Sequence, residues 1–300
     1  MNMGADSDNL IKVGVGRPGL VATVAVARGG RTVGLHFAGG ENLTDPGATD
    51  WAVACPDAAR ADAEWAQDFG QVVWLGPQSR FWSDQTAIPG RAPEAAGWPP
   101  DPVCVHGAYT VEERTPERLV LRGPDSPVWQ VRLTKTWEAL PDGSVRFSTE
   151  ARNVSEKPIR KGLWFNFRAP PASRVLVPVE SSDACRVTGA ADLRLRFADG
   201  WLELGAPEVP TGADSTEAKA FIQPLRGVIR IEAAGGWLEL IFPATSPDAV
   251  AEGQAPVEIY RKTARDVRSI LEVEQHAPCV TLAPGAAMRH EEVWRWVAGA

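Results

Sequence analysis

The clearest pattern in the chain is a two-residue alternation. Trp129, Val131, Leu133 and Trp137 fall on one side of it; Gln130, Arg132, Thr134 and Thr136 fall on the other, as in a half-buried antiparallel strand. Pro141-Asp142-Gly143 then supplies a fixed φ, an Asx acceptor and a residue free to take positive φ. Val145, Phe147, Thr149 and Ala151 resume the alternation, so 129–151 is expected to fold as a hairpin. Tyr109, Val111 and the run Leu119-Val120-Leu121 add two shorter strands ahead of it. Gly162-Leu163-Trp164-Phe165-Asn166-Phe167 is almost wholly apolar, and such a strand is buried on both faces or lines a cavity.

The same pattern, punctuated by Gly, Pro, Asp and Ser, extends over the rest of the chain. Short strands are expected at 10–15, 20–26, 32–37 and 72–75, and after the apolar strand at 174–179, 193–197, 201–204, 228–233, 237–242, 257–261, 267–275, 280–282 and 288–297. One helix is expected at 57–68, preceded by Pro56, rich in Ala and closed by Gly70, as an insertion between strands. Residues 1–9 are polar and expected to be disordered. Between them and the hairpin, 83–102 holds five prolines in twenty residues without periodicity. A loop that long is either functional or disordered, and Trp98 with Pro99-Pro100-Asp101-Pro102 argues for an ordered lid or wall. Many short strands with very little helix predict an all-β fold: a large antiparallel β-supersandwich, with 10–300 forming one domain.

Composition narrows the function. Hydrophobic residues make up 44% of the chain, so the core is not limiting. Most of the twelve tryptophans are expected to fill that core, leaving a few indole faces for sugar rings. The formal charge is −7 and basic residues are scattered, which argues against nucleic acid and against anionic membrane surfaces. No apolar run approaches the roughly 20 residues that span a bilayer. The opening MNMGADSDNL has neither the basic nor the apolar region of a signal peptide, so a cytoplasmic location is expected. Cys55, Cys104, Cys185 and Cys279 lie far apart without a C-x-x-C and should be free thiols. Four scattered histidines offer no metal-ligand spacing, and a calcium on Glu272, Glu274 and loop carbonyls rests on general chemistry alone. No phosphate-binding Gly loop and no G-x-S-x-G stands out, so neither metal nor cofactor is expected. The oligomeric state stays open.

The order of His106-Gly107, Asp125-Ser126-Pro127-Val128, Asn153-Val154-Ser155 and Gly162-Leu163-Trp164-Phe165-Asn166-Phe167 resembles the aldose 1-epimerase (galactose mutarotase) superfamily. That superfamily carries a histidine-glycine opening, a "DSPF" segment, an "N-x-S/G" stretch and "GLHPYF". Gly39-Gly40-Glu41-Asn42-Leu43 resembles its "GGENLL" turn. Pro77-Gln78, Trp98-Pro99-Pro100-Asp101-Pro102, and Glu272-Val273-Glu274 followed by Pro278, Val280, Leu282, Pro284 and Gly285 are similar to an uncharacterised bacterial group within it. The resemblance runs from Val33 to Trp296.

It implies a galactose mutarotase-like sandwich that acts without a cofactor on a small sugar or oligosaccharide, by acid–base chemistry at the anomeric centre. The implied base is Glu272 or Glu274, which stand two apart on a strand and so on one face, about 7 Å apart at the backbone. The implied acid is His106. Arg80 and Asn166 would hold hydroxyls, Trp82, Trp98 or Trp164 would stack on the ring, and Tyr260 with Glu258 would line the same cavity. Two departures matter. Ser79 stands where the superfamily has an asparagine, and Trp164 stands where it has the acid histidine. Indole does not donate a proton usefully near neutral pH. Of the other histidines, His36 falls in an early strand and His276 and His290 at the C-terminal end, away from the expected site. Either His106 carries the acid role alone or the chemistry is lost, which leaves a carbohydrate-binding protein on the same scaffold. A lyase or hydrolase drawing on Tyr109 or Tyr260 is the third reading.

Overall fold

The alternating segments pair into two antiparallel sheets whose strands we number β1 to β20 in chain order. The computed structural model describes residues 9–14, 18–47, 50–51, 60–62, 69–85, 87–91, 97–206, 216–263 and 269–299. The first sheet runs, in spatial order, β1 (Leu10–Gly14), β2 (Leu20–Ala25), β3 (Arg31–Phe37), β4 (Gln71–Gly76), β9 (Ile159–Ala169), β18 (Ile270–His276), β17 (Val257–Thr263), β14 (Thr216–Ile222) and β11 (Cys185–Gly189), with β19 (Val280–Leu282) on the start of β9. The second runs β12 (Leu195–Ala198), β13 (Trp201–Leu204), β10 (Val175–Pro178), β15 (Val228–Ala233), β16 (Gly236–Ile241), β20 (Ala287–Ala298), β8 (Val145–Asn153), β7 (Val131–Ala139), β6 (Arg118–Asp125) and β5 (Thr110–Arg114).

The expected hairpin is β7 and β8, in register from Val131↔Asn153 to Ala139↔Val145. Its turn works as the residue types require: the Asp142 carboxylate accepts from the Ser144 amide at 3.0 Å, and Gly143 sits at φ 83°. Side chains from the two sheets meet in a shared core. Phe147 of β8 packs on Trp137 (5.0 Å between centroids) and Trp294 (5.5 Å), and across the gap on Phe165 of β9 (5.2 Å). The Trp137 indole donates to Thr32 Oγ1 at 2.9 Å, tying β7 to β3.

Lys135 and Glu292 are among the ionisable groups that interrupt this apolar interior. Lys135 lies on the apolar side of β7, is fully buried, and donates to the carbonyls of Gly29 (2.6 Å) and Gly30 (3.2 Å); burial lowers its pKa to about 7. Glu292 of β20 is equally buried and accepts from the Trp294 indole at 2.8 Å. Burial pushes its carboxyl up to about 7. Beside it, His290 contacts the Gln275 amide oxygen at 2.6 Å, and burial holds its imidazole down to about 4.

The proline-rich stretch ends in a short helix, α1 (Pro102–His106). Asp101 caps it, accepting from the Val103 amide (2.9 Å) and the Cys104 amide (3.4 Å), and Pro102 supplies the first helical φ. The same carboxylate accepts from the Ser126 hydroxyl and from the Trp129 amide at 3.2 Å, so it fastens the end of the loop to the β6–β7 connection.

The sequence pattern did not predict α1, β11 or β14. Residues 1–8 and most of the expected helix at 57–68 lie outside the described residues, of which 60–62 form a turn. Among the described residues no helix is long and apolar enough to cross a membrane, and Cys104, Cys185 and Cys279 are free.

Candidate functional site

Alternation on β9 gives that strand two jobs. Phe165 and Phe167 face the second sheet, where Phe147 and Trp294 pack on them. Trp164, Asn166 and Arg168 face the other way. Cross-strand register sets partners beside each: Trp164↔His276, Asn166↔Glu274 and Arg168↔Glu272 on β18, then Glu274↔Glu258 and Glu272↔Tyr260 on β17, then Tyr260↔Lys219 on β14. One sheet face therefore carries a dense block of ionisable side chains. Over part of it lies a cavity of about 450 Å³ whose lining includes Trp74, Trp98, Trp164, Arg168, Glu217, Lys219, Tyr260, Lys262, Glu272 and Glu274.

One wall is aromatic. Trp164 meets Trp74 edge to face at 4.8 Å, and Trp74 meets Trp98 in the same way at 6.3 Å. Trp98 is 48% exposed and forms the rim. The opposite side is charged. Glu272 is ion-paired with Arg168 Nη2. The Lys219 ammonium lies 2.5 Å from Glu258 and 2.9 Å from Glu274, and 4.9 Å from the Trp164 ring centroid. His276 Nε2 is 3.6 Å from Glu258, whose other oxygen accepts from the Ala255 amide at 2.7 Å. Tyr260 donates to Glu217 at 2.5 Å.

These contacts drive neighbouring carboxyls apart. Glu258 pays for burial but is held ionised by His276 and Lys219, and its pKa is lowered to about 2. Glu274 is fully buried, and burial together with the adjacent Glu272 and Glu258 raises it well above the carboxylate range despite Lys219. Burial and the bond to Glu217 raise Tyr260. Glu258, Glu274 and His276 offer donor atoms within 4.8 Å of one another, a spacing a metal ion could use, but the Lys219 ammonium already lies within 2.9 Å of both carboxyl groups. Several polar atoms around the cavity are buried without a hydrogen bond among the described residues: Arg168 Nε and Nη1, Trp164 Nε1 and Asn166 Oδ1.

Of the residues anticipated from sequence, Glu272, Glu274, Trp98, Trp164 and Tyr260 line this cavity, and Asn166 lies behind Glu274 with its amide 3.5 Å from the carboxylate. Both glutamates face it. Three others are elsewhere. His106 ends α1, is buried, and contacts Arg31 at 3.3 Å. Arg80 is exposed and paired with Asp84 at 2.6 Å. Trp82 is fully buried, donates to the Pro99 carbonyl at 2.5 Å and carries the Arg91 guanidinium on its face. Each is drawn away by a local partner. Conversely, His276 belongs beside the block, away from where the sequence places it; its ring packs on Trp164 at a tilt, 4.9 Å between centroids. It stands at the third step of the alternation Glu272, Glu274, His276, a signal that was available. Lys219 went unseen with its whole strand; Glu217, Lys219 and Phe221 alternate there with buried Ala218, Ala220 and Ile222.

A family model described as a domain of unknown function (DUF4380) matches residues 11–297. The chain belongs to the DUF4380 family. None of the curated proteins matches the sequence. Among solved structures, this DUF4380 protein is similar to the Slr1438 protein of Synechocystis sp. PCC 6803 (TM-score 0.59, 10% identity, 100% of each chain covered). It is also similar to the GalM/aldose epimerase homologue of C. elegans (0.56, 12%, 97% of this chain and 99% of that one). A galactose mutarotase-like protein of Lactobacillus casei ATCC 334 gives 0.53 at 12%, with 96% and 100% covered. At such identities the likeness establishes the fold: the DUF4380 chain is a galactose mutarotase-like β-sandwich.

Proposed function

We propose that this DUF4380 protein binds a small sugar in the 450 Å³ cavity and catalyses acid–base chemistry at its anomeric centre. The observation that carries the proposal is the pairing of an aromatic wall with two adjacent carboxyls in unlike surroundings: Glu272 ion-paired with Arg168, and Glu274 fully buried and raised well above the carboxylate range. Environments that push neighbouring titratable groups apart are how acid and base roles are divided. Glu272, held by Arg168, is the base that takes the proton from the anomeric hydroxyl. Glu274, whose burial favours the protonated form, is the acid that gives a proton to the ring oxygen. The bond from the anomeric carbon to the ring oxygen breaks, the open aldehyde rotates, and the two steps run in reverse to close the other anomer. Glu274 thus takes the role that the resemblance assigns to His106, and Trp164 becomes a stacking surface in place of an acid. Arg168, which lines the cavity, would hold a hydroxyl, with Asn166 behind Glu274 as a support for that carboxyl.

The test is proton NMR of freshly dissolved α-glucose and α-galactose, following the approach to anomeric equilibrium. Wild type should accelerate at least one sugar, Glu272→Gln and Glu274→Gln should each abolish the acceleration, and His106→Ala should keep it. Loss in His106→Ala alone would restore the histidine as the acid. No acceleration by wild type would sink the mutarotase chemistry for these sugars. A second reading, a sugar-binding protein without catalysis, is favoured by Trp164 at the histidine position; saturation transfer from protein to sugar in the same samples tests it.

A further inference from the structure

A second cavity, about 880 Å³ in volume, opens beside the start of β9. Lys161 lines it. This lysine is only 3% exposed, yet its ammonium makes no hydrogen bond or ion pair among the described residues. An ammonium on so enclosed a side chain meets solvent only through the cavity, which leaves it poorly hydrated and open to an anion there. The two comparable lysines of the protein are both satisfied: Lys135 by two carbonyls, Lys219 by two carboxylates.

The charges around Lys161 do not supply the missing partner. Asp84 is taken up by Arg80 at 2.6 Å, and Asp125 by Arg132 at 2.5 Å. Arg160 and Lys157 stand exposed at the mouth with no ion pair among the described residues, against one unpaired carboxylate, Glu156. The free balance of the lining is therefore positive, and its most buried member is the one with nothing to bind. Burial lowers the Lys161 pKa, and a bound anion would raise it again.

We infer that this cavity binds a small, multiply charged oxyanion, with Lys161 as its buried anchor and Arg160 and Lys157 at its mouth. An ion pair to the enclosed Lys161 is stronger than one to the exposed cations at the mouth, so affinity should depend chiefly on that residue. The site is separate from the sugar cavity. By strand alternation Lys161 and Trp164 project from opposite faces of β9.

The experiment is isothermal titration of the full chain with inorganic phosphate and, separately, with citrate, in sodium chloride buffers of matched ionic strength. Thermal unfolding would be followed in parallel. Wild type should bind at least one anion saturably and melt higher in its presence. Lys161→Met should weaken that binding on the order of thirtyfold or more, since one partner of a buried charge pair is removed. It should also melt higher than wild type in plain buffer, because the unpaired ammonium is gone. Lys161→Arg should retain binding. Response to phosphate alone identifies a phosphoryl ligand, and response to citrate alone a carboxylate ligand. No saturable binding of either anion by wild type overturns the inference, as does unchanged binding in Lys161→Met. Neither outcome bears on the sugar site.

Discussion

Glu292→Gln isolates a single buried titration. The native carboxyl is 1% exposed and accepts from the Trp294 indole, a bond that the glutamine oxygen can also accept. Its pKa is raised from 4.5 to about 7 in the fold. A raised carboxyl contributes its full stability below the ordinary value and loses it as pH climbs through the folded one. Across that window the native protein gives up about 3 kcal/mol that the amide, which cannot ionise, does not. The variant should therefore be more stable than wild type by about 1 kcal/mol at pH 5, rising to about 3 kcal/mol at pH 8. Urea unfolding of both proteins at half-unit pH steps measures this. Groups common to the two, including His290, cancel in the difference. A difference that stays flat from pH 5 to pH 8, or shrinks, would refute the claim that burial governs this carboxyl.

Other substitutions probe the sites. Lys219→Met strips the shared cation from Glu258 and Glu274 and should cost about 3–5 kcal/mol in urea unfolding. Trp98→Ala removes a half-exposed rim indole; it should weaken sugar binding about fivefold in titrations while leaving the melting temperature nearly unchanged. Asp101→Ala removes the α1 cap and the acceptor for Ser126 and Trp129 together, and should lower stability by about 2–3 kcal/mol.

Local alternation made most of the fold legible. The β7–β8 hairpin and the apolar β9 follow from side-chain period and turn chemistry, which act over a few residues. The short helix at Pro102 was also within reach, since Asp101-Pro102 is an N-cap followed by a helical proline. What alternation cannot give is which strands lie side by side. The site depends on β14, which lies far from β18 in the chain but next to its neighbour β17 in the sheet, so Lys219 could not be placed against Glu258 from sequence order. Arg80 and Trp82 stand away from the cavity for a more local reason. Both follow β4, a cavity strand, but a salt bridge to Asp84 and a bond to Pro99 turn them aside.

The position of β9 bears on how a ligand reaches the 450 Å³ cavity proposed to hold a sugar. It pairs with β4 on one side and with β18 and β19 on the other, and every residue from 161 to 169 is buried. Backbone amides so enclosed exchange with deuterium last, through the rarest openings of the molecule. The cavity's other boundaries are less firmly tied. Trp98 stands half in solvent on the proline-rich stretch, and Lys219 rides on β14, one strand from the sheet edge. Breathing that admits a sugar should thus arise in the rim and the flank while the base of the cavity holds still. Exchange mass spectrometry would register ligand as added protection around Trp98 and β14, against a β9 signal that barely moves.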